Sequence, residues 1–152
     1  MVSDEAAYRR YLSGEEKAAD LLAERYGDAL TLYINGYIKD IYEAEDLMIE
    51  AFAQLFAKER LIRGKGSFKA YLYKTARHLA LRHNQKHRFV FLRLDELDFE
   101  PQSDTLIDTD LLRSERDRQL YDALEKLKAE YREALYLVYF EDMSYRDAAT
   151  VM

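Results

Sequence analysis

The chain has 152 residues, with one proline, five glycines and no cysteine, and Leu, Ala, Glu, Lys and Arg dominate it. This composition favours helices and excludes disulfide bonds and thiolate zinc sites. The formal net charge is −6, and no apolar run approaches the roughly 18 residues that span a bilayer. We therefore expect a soluble, cytoplasmic, all-α protein of one domain or two small helical domains, without membrane insertion.

Three amphipathic helices are predicted in the first part of the chain, over residues 4–12, 15–39 and 42–57. Ser13 and Gly14 end the first of them. Apolar residues recur every three or four positions along the second and third, which predicts one buried stripe on each helix. The predicted buried residues are Ala18, Leu22, Tyr26, Ala29, Tyr33 and Tyr37, followed by Ala44, Leu47, Met48, Ala51, Phe52, Leu55 and Phe56.

The third predicted helix carries a second stripe opposite its apolar face. This stripe consists of Asp46, Ile49, Glu50 and Ala53. Two carboxylates that flank an exposed isoleucine are typical of a protein-docking surface, acidic with an apolar centre. An ordinary solvated helix face has the same pattern, so the stripe alone leaves both interpretations open.

Basic residues are concentrated between positions 58 and 93, where eleven lysines and arginines accompany one acidic residue, Glu59. The same stretch contains the aromatic residues Phe68, Tyr71 and Tyr73. A cationic helix that carries exposed rings can bind phosphates and stack on unpaired bases. A solvated basic helix has the same composition, and it is the alternative interpretation.

A loop and a helix are predicted within this basic stretch. The two glycines of the segment 63–66 favour a turn, and Ser67 is placed to cap a fourth helix over residues 68–87. One face of this helix is apolar, and the other combines phosphate-binding groups with groups that can contact bases. The apolar face comprises Phe68, Tyr71, Leu72, Thr75, Leu79 and His83, and the other face comprises Tyr73, Lys74, Arg77, Asn84 and Arg88.

A linker and a second helical unit are predicted in the remainder of the chain. Residues 95–110 are acidic, include Pro101 and show no sustained periodicity. Two helices follow over residues 111–127 and 130–140. Ser144 and Asp147 have the spacing of a capping box, and they open a last helix. A helix, a tight turn and a further helix predict the first half of a helix-turn-helix.

Several of these segments resemble one family, the extracytoplasmic-function sigma factors, which are initiation subunits of bacterial RNA polymerase. Residues 45–52 and 67–81 are similar to region 2 of that family, and residues 124–127, 131–135 and 139–149 are similar to the opening of its region 4. The resemblance implies a four-helix region 2 over residues 1–88, an acidic linker over 89–112, and a partial region 4 over 113–152 without the recognition helix.

The resemblance also implies partners and binding residues. The partners are the polymerase core and promoter DNA, with an anti-sigma factor as a further candidate, and no cofactor is expected. Asp46, Ile49, Glu50 and Ala53 would bind the core, although the family usually has glutamine where Ile49 stands. Residues 60–67 match the loop that reads the minus-ten element. The implied DNA-binding set is Arg60, Arg63, Lys65, Ser67, Phe68, Lys69, Tyr71, Tyr73, Lys74, Arg77, His78, Asn84 and Arg88.

Two other functions compete with the sigma factor interpretation. One is a sigma-like helical regulator that binds a protein partner without initiating transcription. The other is an enzyme, since His83 and His87 have the spacing of metal ligands on a helix, but no third ligand lies nearby in sequence and His83 falls on the apolar stripe. We therefore expect no catalytic residue and no metal site.

Consequences also follow from the absence of a recognition helix. We expect no preference for an upstream promoter element. The two units should be loosely coupled, and the last helix should fray or bind another molecule. The residues that would then stay partly uncovered are Ala148, Ala149, Val151 and Met152.

Overall fold

The computed structural model describes residues 2–57, 67–83, 89–90 and 110–152, in which all regular structure is helical. The all-α prediction is therefore confirmed. The predicted loop 63–66 and residues 91–109, which form most of the predicted linker, lie outside the described residues. The elements are α1 (Asp4–Leu12), α2 (Lys17–Ile38), α3 (Ile41–Ala57), α4 (Phe68–His83), α5 (Asp110–Glu125), α6 (Ala129–Leu135), a wide helical turn (Tyr136–Phe140) and α7 (Tyr145–Val151).

Serine side chains cap the starts of α4 and α7, because each accepts a hydrogen bond from a backbone N–H group that has no partner within its helix. The Ser67 Oγ accepts from the N–H of Ala70 at 3.1 Å, and the Ser144 Oγ accepts from that of Asp147 at 3.0 Å. Both caps were predicted from the sequence. Between α2 and α3, Lys39 adopts a left-handed conformation (φ 59°), which ends α2.

Helices α1 to α4 share a core built around α2. The predicted buried stripes of α2 and α3 face this core, although Tyr26, Ala29, Leu47, Met48 and Phe56 are only partly buried. The largest side chains fully buried within these four helices are Tyr8, Leu22, Leu30, Tyr33, Ile34, Tyr37, Leu55, Phe68, Leu72 and Tyr73.

Phe89 is inserted into this core from outside the four helices. Its ring is 1% exposed and packs against Tyr33 and Tyr37 at centroid distances of 5.7 and 5.4 Å. The N–H of Val90 donates to the carbonyl of Gly36 at 2.9 Å, and a Cβ at Gly36 would lie 2.3 Å from the ring. Glycine at position 36 is what allows this close approach.

Helices α5 to α7 form the C-terminal unit, and α1 to α4 form the N-terminal unit. The buried side chain of Arg132 on α6 organises the C-terminal unit. Its Nη1 donates at 3.1 Å to the carbonyl of Glu125, the last residue of α5, and at 3.0 Å to the carbonyl of Leu127 in the turn that follows. Its Nε donates to the Phe89 carbonyl at 3.0 Å. One guanidinium therefore connects α5, α6 and the residue inserted into the core.

The two units pack against each other, so the expectation of loose coupling was wrong. Helix α7 lies on α4 and buries Ala148 and Val151, while Ala149 and Met152 stay exposed as expected. The sequence could not show that α4 supplies the covering surface. Among the described helices, none is long and apolar enough to cross a membrane.

Candidate functional site

The outer face of α3 forms an exposed stripe with an apolar centre. Ile49 is 57% exposed, and Asp46, Glu50 and Ala53 are exposed around it. Tyr42, one turn before Asp46, extends the stripe and is 73% exposed. Sequence analysis missed Tyr42, although its spacing of four residues from Asp46 was visible. The stripe is presented outward because the opposite face of α3 is buried in the core of the four helices.

The predicted DNA-binding residues of α4 occupy three different environments. His78 is exposed, whereas Phe68 and Tyr73 are fully buried. The expectation that Tyr73 faces away from the core was wrong, because its ring packs on Tyr33 at 5.2 Å. Ser67, Lys69, Tyr71, Lys74 and Arg77 are half-buried, whereas Arg60, Arg63, Lys65, Asn84 and Arg88 lie outside the described residues.

The part of α4 that remains open is a cationic stripe. Lys74, His78 and Arg82 follow one another at intervals of four residues, and His78 and Arg82 are exposed. Partial desolvation of the His78 ring and the charges of Lys74, Arg77 and Arg82 lower its pKa. Lys74 and Arg82 therefore place one positive charge on either side of His78 along the helix. Arg82 was missed by sequence analysis, although its spacing from Lys74 and His78 could have identified it.

The buried carboxylate of Glu133 on α6 holds the centre of the contact between the two units. Glu133 is 1% exposed. The Tyr33 hydroxyl donates to its Oε2 at 2.5 Å, the Tyr37 hydroxyl donates to its Oε1, and the Arg77 Nε donates to its Oε2 at 3.0 Å. Burial and then the charge of Glu133 raise the pKa of both tyrosines. Arg77 is therefore engaged inside the chain, contrary to its predicted outward position.

A second carboxylate, Glu141, engages the first half of α4. The Tyr73 hydroxyl donates to its Oε2 at 2.7 Å, and the Lys69 Nζ donates to its carbonyl and lies 3.7 Å from Oε2. Burial raises the pKa of Glu141, although the donors from Tyr73 and Lys69 act in the opposite direction. At the start of the helix, the Ser67 hydroxyl donates to the Asp147 Oδ2 at 3.2 Å.

We call these interactions of Glu133, Glu141 and Asp147 with residues 67–77 the carboxylate contact. Neither Glu133 nor Glu141 was singled out by sequence analysis. Glu133 belongs to a predicted helix and Glu141 to the tight turn after it, and neither pattern gives a sign that the carboxylate points into the core.

His83 does not lie in the apolar core, which corrects its predicted position. Its side chain is 43% exposed, and its Nε2 lies 2.9 Å from the Glu43 Oε2. His87 is outside the described residues. Within the part of the chain that the structure describes, no group of three His, Cys, Asp or Glu side chains is arranged to hold a metal ion.

Comparison with known proteins assigns two parts of the chain to one family. Residues 22–90 match the family model of Sigma-70 region 2, and residues 117–152 match that of Sigma-70 region 4. The chain is 28% identical to the RNA polymerase sigma-H factor of Pseudomonas aeruginosa, over 98% of this chain and 82% of that protein. The chain belongs to the extracytoplasmic-function sigma factor family.

Two further relatives are named as ECF, or extracytoplasmic-function, sigma factors. The ECF RNA polymerase sigma-E factor of Haemophilus influenzae is 24% identical over 99% of this chain and 84% of its own length. The ECF RNA polymerase sigma factor SigX of Bacillus subtilis is 25% identical over 90% of this chain and 73% of its own length.

Membership of the sigma factor family defines the general role of the chain. It is a transcription initiation factor and not an enzyme, and its partners are the RNA polymerase core and promoter DNA. The region 2 match includes α3, α4 and Phe89, and the region 4 match includes α6 and α7. The carboxylate contact therefore joins the region 2 match to the region 4 match.

Proposed function

We propose that this sigma factor docks on the polymerase core through the outer stripe of α3 and holds the opening minus-ten element through α4 and the 60–67 loop. It would act in the cytoplasm, and a partner of the anti-sigma type would act by covering the α3 stripe. The observation that carries the DNA-binding part of the proposal is the stripe of Lys74, His78 and Arg82 on α4, in which His78 and Arg82 are exposed, because it lies within the region 2 match.

The docking role of α3 is supported by its geometry. Ile49 and Tyr42 supply an apolar centre, and Asp46 and Glu50 supply charges that can pair with basic groups of a partner. The stripe faces solvent and none of these four side chains is part of the core. Their replacement can therefore change binding without changing the fold.

Reversal of two charges on the α3 stripe is expected to abolish binding to core polymerase. Charge pairs at such interfaces contribute roughly 1.5 to several kcal/mol each, so Asp46→Lys with Glu50→Lys should weaken binding by more than about a hundredfold. The measurement is titration of labelled sigma factor with purified core polymerase.

The matched control for docking is Glu24→Lys with Asp28→Lys, which makes the same charge change at two exposed positions one turn apart on α2. We expect this variant to bind core as the wild type does. Wild-type affinity for core polymerase in both double variants would contradict the docking role. That result would favour the interpretation as a sigma-like regulator with another protein partner.

Removal of cations from the open stripe of α4 is expected to reduce the salt dependence of promoter binding. Each phosphate contact with a single strand contributes about 0.7 to the slope of log K against log salt. Lys74→Ala with Arg82→Ala should lower the slope by about 1.4 if both contact phosphates. The measurement is holoenzyme binding to a cognate promoter at several salt concentrations.

Arg9→Ala with Arg10→Ala is the control for this experiment, because it removes two exposed positive charges from α1. Its slope should remain that of the wild type. A slope unchanged by the α4 substitutions would place the phosphate contacts elsewhere on the chain.

A further inference from the structure

Helix α1 lies outside the segment that matches Sigma-70 region 2, which covers residues 22–90. It is fixed on α2 by one acidic side chain. The Arg25 Nη1 donates to the Asp4 Oδ1 at 2.5 Å, and the Tyr26 hydroxyl donates to the Asp4 Oδ2. These hydrogen bonds give α1 a defined position on the N-terminal unit, from which its other side chains reach α3 and α4.

One side chain of α1 contacts the end of α3. Tyr8 is 2% exposed, and its hydroxyl donates to the Leu55 carbonyl at 2.9 Å. Leu55 lies in the last turn of α3, where carbonyls have no partner within the helix. The Tyr8 ring also packs near Phe56 and Phe68, at centroid distances of 6.4 and 5.5 Å. Tyr8 therefore contacts the end of α3 and the first residue of α4.

A second side chain of α1 contacts the start of α4. The Glu5 Oε1 accepts a hydrogen bond from the N–H of Phe68 at 3.2 Å. Phe68 is the first residue of α4, so its N–H has no partner within the helix. Because a negative charge near a helix N-terminus is favourable, the Glu5 carboxylate stabilises α4 at this position. The Ser67 cap binds a different N–H group, that of Ala70, so the two side chains do not replace each other.

The two contacts make α1 a bridge between the helices that carry the proposed interfaces. Glu5 and Tyr8 are three residues apart, so they lie on one face of α1. A single helix of nine residues thus holds the end of α3 and the start of α4 together. The docking stripe lies on α3 and the cationic stripe on α4. The orientation of one stripe relative to the other therefore depends on α1.

We propose that Glu5 and Tyr8 are positioning residues for promoter opening. They hold the start of α4 against the end of α3, so that a chain docked through α3 presents α4 to the minus-ten strand in one fixed orientation. The inference rests on the proposed roles of α3 and α4. Neither residue binds polymerase or DNA itself, because both act through the helices that they connect.

The first test separates positioning from docking, in holoenzyme formed from the full chain and core polymerase. Tyr8→Phe removes the hydroxyl that donates to the Leu55 carbonyl. We expect the equilibrium constant for opening a cognate promoter, followed by permanganate reactivity of its minus-ten thymines, to fall at least about fivefold. Titration of the labelled variant with core polymerase should give an affinity within about twofold of the wild type, because the α3 stripe is unchanged.

Thr31→Val is the matched control for Tyr8→Phe. It also removes one buried hydroxyl from the N-terminal unit, but the hydrogen bond that it breaks, to the Gly27 carbonyl at 2.8 Å, lies within α2. We expect opening by this control to stay within about twofold of the wild type. Equal loss of opening in Tyr8→Phe and Thr31→Val would show that α1 contributes only to stability, and would overturn the inference.

The second test asks whether the two contacts act as one bridge. Glu5→Ala removes the acceptor for the Phe68 N–H and should lower opening about fivefold. Glu5→Gln retains an amide oxygen that accepts from the same group, so opening should stay within about twofold of the wild type. Either loss interrupts a bridge, so Glu5→Ala with Tyr8→Phe should lower opening by no more than about twofold beyond the larger single effect. Losses that multiply would show two independent contacts and would contradict the bridge.

The outcomes separate this inference from the proposal on which it rests. Wild-type opening by Tyr8→Phe and by Glu5→Ala would overturn the positioning role, and it would leave the role of α4 in place. An unchanged salt slope in Lys74→Ala with Arg82→Ala would refute the role of α4, and the inference would fall with it. If Tyr8→Phe does not fold, Glu5→Ala and Glu5→Gln still decide the question, because Glu5 is an exposed residue.

Discussion

Replacement of Phe89 by alanine is expected to lower the free energy of unfolding by about 3–5 kcal/mol, the usual cost of removing a buried phenyl ring. The ring packs against Tyr33, Tyr37 and Tyr136. The measurement is urea unfolding of the full chain, followed by circular dichroism. Tyr42→Ala is the control, since that ring is exposed, and it should change the same free energy by less than about 0.5 kcal/mol.

The close approach of Gly36 to this ring gives a sharper form of the test. Alanine favours a helix interior over glycine by roughly 1 kcal/mol, but a Cβ at position 36 would collide with the Phe89 ring. Gly36→Ala should therefore destabilise the wild-type chain by about 1–3 kcal/mol. In the Phe89→Ala chain it should be stabilising by roughly 1 kcal/mol. Equal effects in both chains would show that the two residues do not touch.

Replacement of Glu133 by alanine is expected to raise amide hydrogen exchange in α6 and α7 by about a hundredfold, while α1 to α3 stay protected. The substitution removes the acceptor shared by Tyr33, Tyr37 and Arg77. Loss of one partner of a buried ion pair costs about 3 kcal/mol or more, which corresponds to this change in local opening. The measurement is exchange of the full chain followed by mass spectrometry.

Two further variants show whether the effect comes from the buried carboxylate. Glu133→Gln should give an intermediate increase, because the amide oxygen still accepts hydrogen bonds but the charge opposite Arg77 is lost. Glu130→Ala, at an exposed position of the same helix, should leave exchange within about twofold of the wild type. Loss of protection throughout α1 to α4 would mean that the two units unfold together, and would contradict the expected local effect.

The two proposed interfaces of the chain differ in their availability. The α3 stripe is open to solvent, whereas Lys69, Tyr73 and Arg77 on α4 are engaged by the C-terminal unit. Substitutions on the α3 stripe therefore leave the residues of the carboxylate contact unchanged.

Local signals in the sequence predicted the helices and their limits well. The first helix begins and ends as expected, and Ser67 and Ser144 cap α4 and α7. The outward position of Ile49 was also predictable, since a helical period places it opposite the apolar stripe. These features depend on residues within one or two turns of each other, which a single sequence displays directly.

The sequence by itself thus determined the helical class, the segments that resemble sigma factor regions 2 and 4, and the residues of the α3 stripe apart from Tyr42. Only the tertiary structure decided that Tyr73 is buried, that Phe89 enters the core beside Gly36, and that Arg77 is held by Glu133. The physical reason is distance along the chain. Arg77 and Glu133 are separated by 56 residues, and Tyr73 and Glu141 by 68. Helical periodicity shows which side of a helix is polar, but it does not show which distant carboxylate will cover that side.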